Sequence, residues 1–256
     1  MSRCRLCGEE RELVKAHAIP EAFFRVLRSG GETPLLISDA PHPFPRRAPI
    51  GVYDTGILCG ECERTFDRVD SYAAEVLITR FEELFKPVRF GERIALQAEG
   101  IDQELLLRFL VATLWRASVS THPFYTRVQL GRYEAEAKMA ADVAYELPSM
   151  FAAVLSAWPV LANDGSVVHG LMDPFAERWD GVNAYRLYLG RVVAYIKVDR
   201  RPFRSPLVDL TLRRHDLTFV IQREFAASKD FAAMVKTAKQ SRKAAEIARA
   251  RGKARI

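Results

Sequence analysis

The sequence predicts an α+β protein with a cysteine-bearing N-terminal module, a helical middle, an antiparallel sheet and a basic C-terminal helix. Two Cys-x-x-Cys pairs bracket the first part of the chain, apolar residues then recur at helical spacing, and the pattern finally changes to period two. We place the boundaries at residues 1–86 for the module, 87–228 for an α+β domain and 229–256 for the C-terminal helix.

The N-terminal module is defined by its cysteines, because all four of the chain fall in the two pairs Cys4/Cys7 and Cys59/Cys62. Disulfides are disfavoured in the cytosol, so this pattern predicts metal ligation, and four thiolates are typical of a structural zinc ion. Two alternatives are four buried free thiols or a redox-active Cys-x-x-Cys pair.

The 51 residues between the two pairs have room for several elements. The pattern predicts a strand at 12–16 and a helix that begins at Pro20, where the missing N–H costs nothing. Four prolines make 38–50 a loop, and this loop carries Arg46 and Arg47, which either contact phosphates or are simply solvated.

The middle of the chain reads as helix. One helix is expected over 65–86, ended by Pro87, and a short strand at 92–98 follows it. A second helix begins at Asp102, a good N-cap, and is apolar enough to be buried. A third is predicted over 124–146.

The period-two pattern marks the sheet. Strands at 184–189 and 192–198 are joined by Gly190-Arg191, which suits a two-residue hairpin turn with glycine first. A further strand is expected at 218–225, with weaker ones at 150–157 and 166–172, and a helix returns at 229–251.

Charge is distributed unevenly along the chain. Residues 229–256 contain nine Lys and Arg and two acids, or +7, which leaves −1 for the rest of a chain whose net charge is +6. A basic tail is attracted to phosphate backbones or to acidic partners without sequence preference, which makes nucleic acid the expected partner. The alternative is a solvated helix that only aids solubility. The candidate contacts are Lys236, Lys239, Arg242 and Lys243.

No apolar signal segment or membrane-length run occurs in the sequence. We therefore expect a cytoplasmic protein that does not enter a membrane, and the sequence leaves its oligomeric state open.

Three segments resemble the HNH endonucleases that carry a zinc-binding treble clef: Cys4-Arg5-Leu6-Cys7, Ala16-His17-Ala18-Ile19-Pro20 and the run 54–63 around the second pair. The resemblance implies a treble-clef, or ββα-metal-like, fold for the module and hydrolysis of DNA phosphodiester bonds. The segments 114–118 and 130–134 are similar to uncharacterised bacterial and phage proteins that carry this module, which implies no chemistry.

The resemblance also implies roles for individual residues. His17 matches the general base, Asp54 stands where the family usually has a central Asn, and Glu63 stands where it often has a ligand for catalytic Mg²⁺ or Mn²⁺. Each residue also has a purely structural interpretation. His17 could be a packed histidine, Asp54 a turn residue before Gly56, and Glu63 an acid favoured in the first turn of a helix.

Ala16 departs from the family pattern, because the residue before the base is usually an Asp or His that binds the catalytic metal. Three functions therefore stay open: a metal-dependent HNH-like endonuclease, a zinc-dependent nucleic-acid-binding protein without catalysis, and a protein-interaction scaffold stabilised by zinc. The spatial arrangement of His17, Asp54 and Glu63 distinguishes them.

Overall fold

The computed structural model describes residues 2–28, 35–36, 46–48, 50–90, 93–158, 171–204, 206–224 and 226–240. The strands in these ranges are β1 (Ser2–Arg3), β2 (Glu10–Arg11), β3 (Ala16–His17), β4 (Leu35–Leu36), β5 (Arg46–Arg47), β6 (Tyr53–Asp54), β7 (Lys86–Phe90), β8 (Arg93–Ala98), β9 (Phe151–Ala157), β10 (Phe175–Trp179), β11 (Val182–Leu189), β12 (Val192–Val198) and β13 (Thr218–Gln222). The helices are α1 (Glu21–Arg25), α2 (Gly60–Arg64), α3 (Asp67–Ala74), α4 (Phe81–Leu84), α5 (Gln103–Val119), α6 (Glu134–Lys138) and α7 (Lys229–Gln240).

A seven-stranded sheet dominates the fold, with the strand order β10-β11-β12-β9-β13-β8-β7. Its pairs are antiparallel except β9 with β13, which is parallel, so the expected antiparallel sheet is in fact mixed. The last strand of the described residues, β13, lies between β9 and β8 and joins two groups of strands. Three two-stranded ladders, β1–β2, β3–β6 and β4–β5, belong to the N-terminal part.

The hairpins of the sheet follow from local turn chemistry. Leu189 pairs with Val192 around Gly190, whose φ is 72°, which confirms the predicted glycine-first turn. The sequence pattern did not predict β10, although Asp180 and Gly181 both have positive φ and form a two-residue turn typical of Asp-Gly hairpins. The weak strand prediction at 166–172 falls largely outside the described residues, and most of the C-terminal helix beyond Gln240 does too.

Two helix predictions need correction. The stretch 65–86 is divided into α3, a π-helical turn at Glu75–Thr79 and α4, because the chain leaves helical geometry at Arg80, whose φ is −110°. The single helix predicted over 124–146 is absent: Gly131, with φ 55°, interrupts it, and only α6 and short 3-10 turns form among these residues. A positive φ cannot continue a right-handed helix.

The long helix α5 lies at the centre of the protein. Nearly all its residues are buried, as its all-round apolar pattern predicts, and it packs against α3 and α6 and against the sheet at β9 and β12. Asp102 caps it by accepting a hydrogen bond from the Leu105 N–H at 2.9 Å. One continuous apolar core extends from Cys4 through α5 to Val220, so the N-terminal module and the sheet share a hydrophobic interior.

Candidate metal centre

The first cysteine pair lies on a tight turn between β1 and β2. The Gly8 N–H donates to the Cys4 carbonyl at 2.9 Å, and Gly8 has φ 79°, a conformation that side chains other than glycine rarely adopt. The turn thereby points the Cys4 and Cys7 thiols to the same side.

The second pair lies where α2 begins. Cys59 is the N-cap residue of α2, and Cys62 follows in its first turn. Two backbone hydrogen bonds connect the segments that carry the two cysteine pairs. The Arg5 N–H donates to the Ile57 carbonyl at 2.8 Å, and the Val14 N–H donates to the Leu58 carbonyl at 2.9 Å. Two pairs with 51 residues between them are thus held side by side.

The four cysteines together can hold one metal ion. Their Sγ atoms all lie within 4.8 Å of one another. Four sulfurs about 2.3 Å from a tetrahedral zinc ion lie about 3.8 Å apart, so the observed cluster fits such an ion. Cys4, Cys59 and Cys62 are buried, whereas Cys7 is exposed.

The electrostatics of the cluster favour a cation. Burial raises the pKa of the Cys4 thiol, but backbone hydrogen bonds, of which that from Cys59 comes first, outweigh it and lower this pKa to about 7. Burial raises the pKa of Cys62. Because neighbouring thiolates repel each other, all four sulfurs ionise together only around a positive charge.

His17 lies in the β3–β6 ladder next to this centre. Its Nε2 is 2.9 Å from the Ile50 carbonyl oxygen, which can only accept, so Nε2 carries a proton and donates it. The Nδ1 lone pair is then free of a proton in the neutral ring. Burial lowers the pKa of His17, which keeps the imidazole neutral near pH 7.

Asp54, opposite Ala16 in the same ladder, is buried and accepts four hydrogen bonds. Oδ1 accepts from the Gly56 N–H at 2.7 Å, and Oδ2 accepts from the Ser120 hydroxyl at 2.7 Å and from the N–H and hydroxyl of Thr121. Burial alone raises the pKa of this carboxyl group, but the bonds from Ser120, Gly56 and Thr121 lower it overall. Asp54 therefore attaches the ladder to the C-terminal end of α5.

Glu63 follows the last cysteine and points inward. Its Oε1 lies 3.4 Å from the backbone nitrogen of His17, and its Oε2 is buried without a hydrogen-bond partner among the described residues. Burial raises the pKa of Glu63, and the nearby Arg116 opposes that rise. Arg116 is fully buried and forms a two-point ion pair with Asp70 at 2.6 and 2.7 Å.

Among the residues that the structure describes, His17, Asp54 and Glu63 are not grouped into a second cluster of metal ligands. Ala16, fully buried, has no ligand atom in its side chain, and the carboxylate of Asp54 already accepts one hydrogen bond at Oδ1 and three at Oδ2. Mg²⁺ and Mn²⁺ take oxygen ligands, often one or two carboxylates and several waters, and the inward oxygen of Glu63 is the carboxylate oxygen here without a hydrogen-bond partner. Among the described residues, the four cysteines are the metal-ligand cluster that the structure assembles.

The candidate nucleic-acid contacts are described only in part. Arg46 and Arg47 form β5, whose backbone pairs with β4, and their side chains lie outside the described residues. Lys236 is exposed on α7. The side chain of Lys239 and the whole of Arg242 and Lys243 lie outside the described part of the chain.

Sequence reasoning missed the polar residues contributed by α5. Arg108 and Arg116 are two turns apart in an otherwise apolar helix, and that spacing was a signal that each needs a buried partner. Arg116 pairs with Asp70, and Arg108 donates to Glu104 and to the carbonyls of Asp142 and Tyr145. Nothing in the sequence pattern marks Ser120 and Thr121 as partners of Asp54.

The chain matches no known protein family, no characterised protein and no solved structure. Among the helices of the described ranges, none combines the length and apolar character that crossing a membrane requires. The function is therefore argued from the chemistry of the site.

Proposed function

We propose that this chain is a zinc protein of HNH-like, treble-clef design that binds nucleic acid without metal-dependent hydrolysis. The observation that carries the proposal is the bonding of Asp54, whose two oxygens hold Gly56, Ser120 and Thr121 in place. Oδ2 accepts three hydrogen bonds and Oδ1 accepts one, so a residue committed in this way serves to stabilise the module. Ala16, buried beside it, supplies no ligand either.

Zinc is the ion that the donor set favours. Four thiolates suit a soft or borderline cation, and zinc in structural sites is tetrahedral with sulfur or nitrogen ligands. One cysteine pair on a tight turn and the other at the start of a helix are the arrangement expected of a treble clef, with β3 and β6 between them. The module then presents a rigid surface.

The basic C-terminal segment is the proposed contact with nucleic acid. Its charge of +7 stands against a body of −1, and lysine and arginine side chains bind phosphates largely without regard to sequence. DNA is the expected ligand, because the resemblance is to DNA-cleaving enzymes.

Salt dependence tests this proposal. We expect the variant with Lys236, Lys239, Arg242 and Lys243 changed to Gln to bind a duplex oligonucleotide more weakly. The slope of log K against log salt should become shallower by about 0.9 for each phosphate that the variant no longer neutralises. Fluorescence anisotropy at several salt concentrations measures both quantities.

The matched control removes the same charge elsewhere, at exposed positions Lys86, Arg89, Arg178 and Arg200. It should leave the slope nearly unchanged. Equal slopes for the tail variant and the wild type would remove the tail from the interface. Absence of any binding to DNA or RNA would favour the protein-interaction scaffold instead.

A second function, phosphodiester hydrolysis, is favoured by one observation, the state of His17. Its Nε2 donates to Ile50, and burial lowers its pKa, so Nδ1 of the neutral ring is able to take a proton from water. In this proposal the ring is the general base, as the HNH resemblance implies. The Ile50 carbonyl orients it.

A plasmid-nicking assay decides between the two functions. The binding protein should leave supercoiled DNA intact with Mg²⁺ or Mn²⁺ present. Nicking that disappears in His17→Ala, while zinc content and melting temperature stay at wild-type values, would establish the nuclease. Nicking that survives His17→Ala would point to a contaminant or to another base.

A further inference from the structure

Three donors from the sheet converge on one buried carboxylate of the C-terminal helix. Asp230, in the first turn of α7, is 1% exposed. It accepts hydrogen bonds from the Arg186 guanidinium, from the Tyr188 hydroxyl at 2.6 Å and from the Arg223 guanidinium at 2.8 Å. Strands β11 and β12 direct alternate side chains to opposite faces, so this cluster lies on the face away from α5.

The strand register surrounds these donors with aromatic rings. Arg186 on β11 is paired with Phe175 on β10 and with Tyr195 on β12, so its guanidinium lies between two rings, 5.3 and 4.9 Å from their centres. Trp179 stacks on Tyr195 at 4.4 Å. Arg223 donates to the Tyr195 hydroxyl at 2.7 Å and also lies over that ring. We call Phe175, Trp179, Arg186, Tyr188, Tyr195 and Arg223 the outer-face cluster.

The outer-face cluster has the chemistry of a phosphate-binding surface for single strands. Guanidinium and phenol groups donate hydrogen bonds to phosphate oxygens, and this cluster contains two guanidinium groups and the phenol of Tyr188. Aromatic rings next to arginines are typical stacking sites for the bases of single-stranded nucleic acid. Glu177 neutralises one of the two arginines, because it forms a two-point ion pair with Arg186. The second positive charge is balanced by Asp230, which stands where an anionic ligand would bind.

Among the described side chains of α7, at residues 229–237, the apolar ones are exposed or only partly buried. Its exposed residues include Lys229, Phe231 and Lys236, whereas Met234 is its side chain that packs against the aromatic residues of this face. Elements with few buried apolar contacts open at low free-energy cost. Asp230 attaches this otherwise basic helix to the sheet through three hydrogen bonds.

We propose that the outer-face cluster binds a phosphate group of single-stranded nucleic acid, and that α7 closes this site by placing Asp230 in the position of the phosphate. The inference rests on the proposed nucleic-acid function and adds a second contact region to it. The basic tail then has two roles. It attracts the strand, and its engagement with the strand draws α7 away from the sheet.

Asp230→Ala in the full-length chain tests the proposal. We expect an oligothymidine strand to bind about tenfold more tightly to this variant, because apparent affinity rises with the fraction of open molecules. Asp216→Ala, which removes an exposed acid elsewhere, should change affinity little. Adding Trp179→Ala to the Asp230→Ala chain should cancel the gain if bases stack on this ring.

Base-free polyphosphate and inorganic phosphate are the comparison ligands. Improved binding of inorganic phosphate alone would identify a small-anion site and overturn the strand proposal. An equal gain for polyphosphate and oligothymidine would overturn stacking on the aromatic rings, and with it a site built for nucleic acid.

If Asp230→Ala does not fold, hydrogen exchange of the wild-type chain tests the displacement of α7 instead. Amides of 229–237 should lose protection when oligothymidine is added, and unchanged or increased protection would contradict displacement of α7. If the wild type binds nucleic acid but the folded variant shows no gain, this inference alone fails. If no nucleic acid binds to either chain, the proposed function fails and this inference with it.

Discussion

At the scale of single residues, Asp54 stabilises the module by accepting four hydrogen bonds. Replacing it with Asn keeps its size but removes the charge and one acceptor, so the N–H and hydroxyl of Thr121 and the Ser120 hydroxyl lose a strong partner. We expect Asp54→Asn to lower the free energy of unfolding by roughly 2–3 kcal/mol at pH 7. Urea denaturation measures the change, and Asp142→Asn, an exposed acid that accepts one bond from Ala144, is the control.

The pH dependence of this effect has a defined sign. The folded pKa of Asp54 is lowered, so its stabilisation is complete above the unfolded value of about 3.9 and is lost as pH falls through the folded pKa. The difference between wild type and Asp54→Asn should therefore shrink below about pH 4. A difference that stays constant from pH 7 to pH 3 would contradict this assignment.

The sequence predicted the residues of the metal centre better than the role of their neighbours. Cysteine pairs indicate a metal cluster because few other arrangements use two such spacings, and the four sulfurs do converge. From the sequence, Asp54 could be either the counterpart of the central Asn of the HNH family or a turn residue before Gly56. Its hydrogen bond from the Gly56 N–H is the contact expected of a turn residue. Its bonds to α5 depend on residues 66 and 67 positions away, which no local pattern encodes.

At the scale of elements, the ion pair between Asp70 of α3 and Arg116 of α5 is a contact whose loss should destabilise the fold. Arg116 is fully buried, and Asp70 is its charged partner, 2.6 Å away. Asp70→Asn leaves that positive charge without compensation, which we expect to cost roughly 3–5 kcal/mol of stability. Asp67→Asn, an exposed acid on the same helix, should change stability by less than about 0.5 kcal/mol.

Urea denaturation of both variants with zinc present checks this expectation. Similar midpoints for Asp70→Asn and Asp67→Asn would show that Arg116 finds another partner, for which Glu63, whose charge also acts on Arg116, is a candidate.

The sequence predicted turns and helix caps correctly where residues close together in the chain determine them. The hairpin at Gly190 and the cap at Asp102 require only neighbouring residues, and both are confirmed. The helix predicted over 124–146 is interrupted at two points, at Gly131, where φ is positive, and at Asp142, where the backbone becomes extended. The parallel pairing of β9 with β13 was not predictable, since 60 residues lie between these strands.

At the scale of the whole molecule, the shared core links the cysteine cluster to the sheet. Cys4, the apolar face of α5 and Val220 belong to one cluster of buried side chains. We expect removal of zinc by a chelator to lower the melting temperature by about 10 °C or more in a single transition. Cys59→Ser should reproduce this result without a chelator, with zinc absent by elemental analysis.

Hydrogen exchange provides the sharper measurement of this coupling. Protection should fall in α5 and β9 as well as in the cysteine turns when zinc is removed. Retained protection in β9 and β12 after zinc loss would mean that the two parts unfold separately, as the sequence division at residue 86 suggested.

The position of β13 has a consequence for synthesis of the protein on the ribosome. A nascent chain that has not yet released residues 218–222 has two partial sheets, each ending in an unpaired edge, at β9 and at β8. Unpaired edges invite pairing with other chains, so the interval before β13 emerges is the period of greatest aggregation risk. Premature termination upstream of Thr218 would leave this vulnerable state permanent.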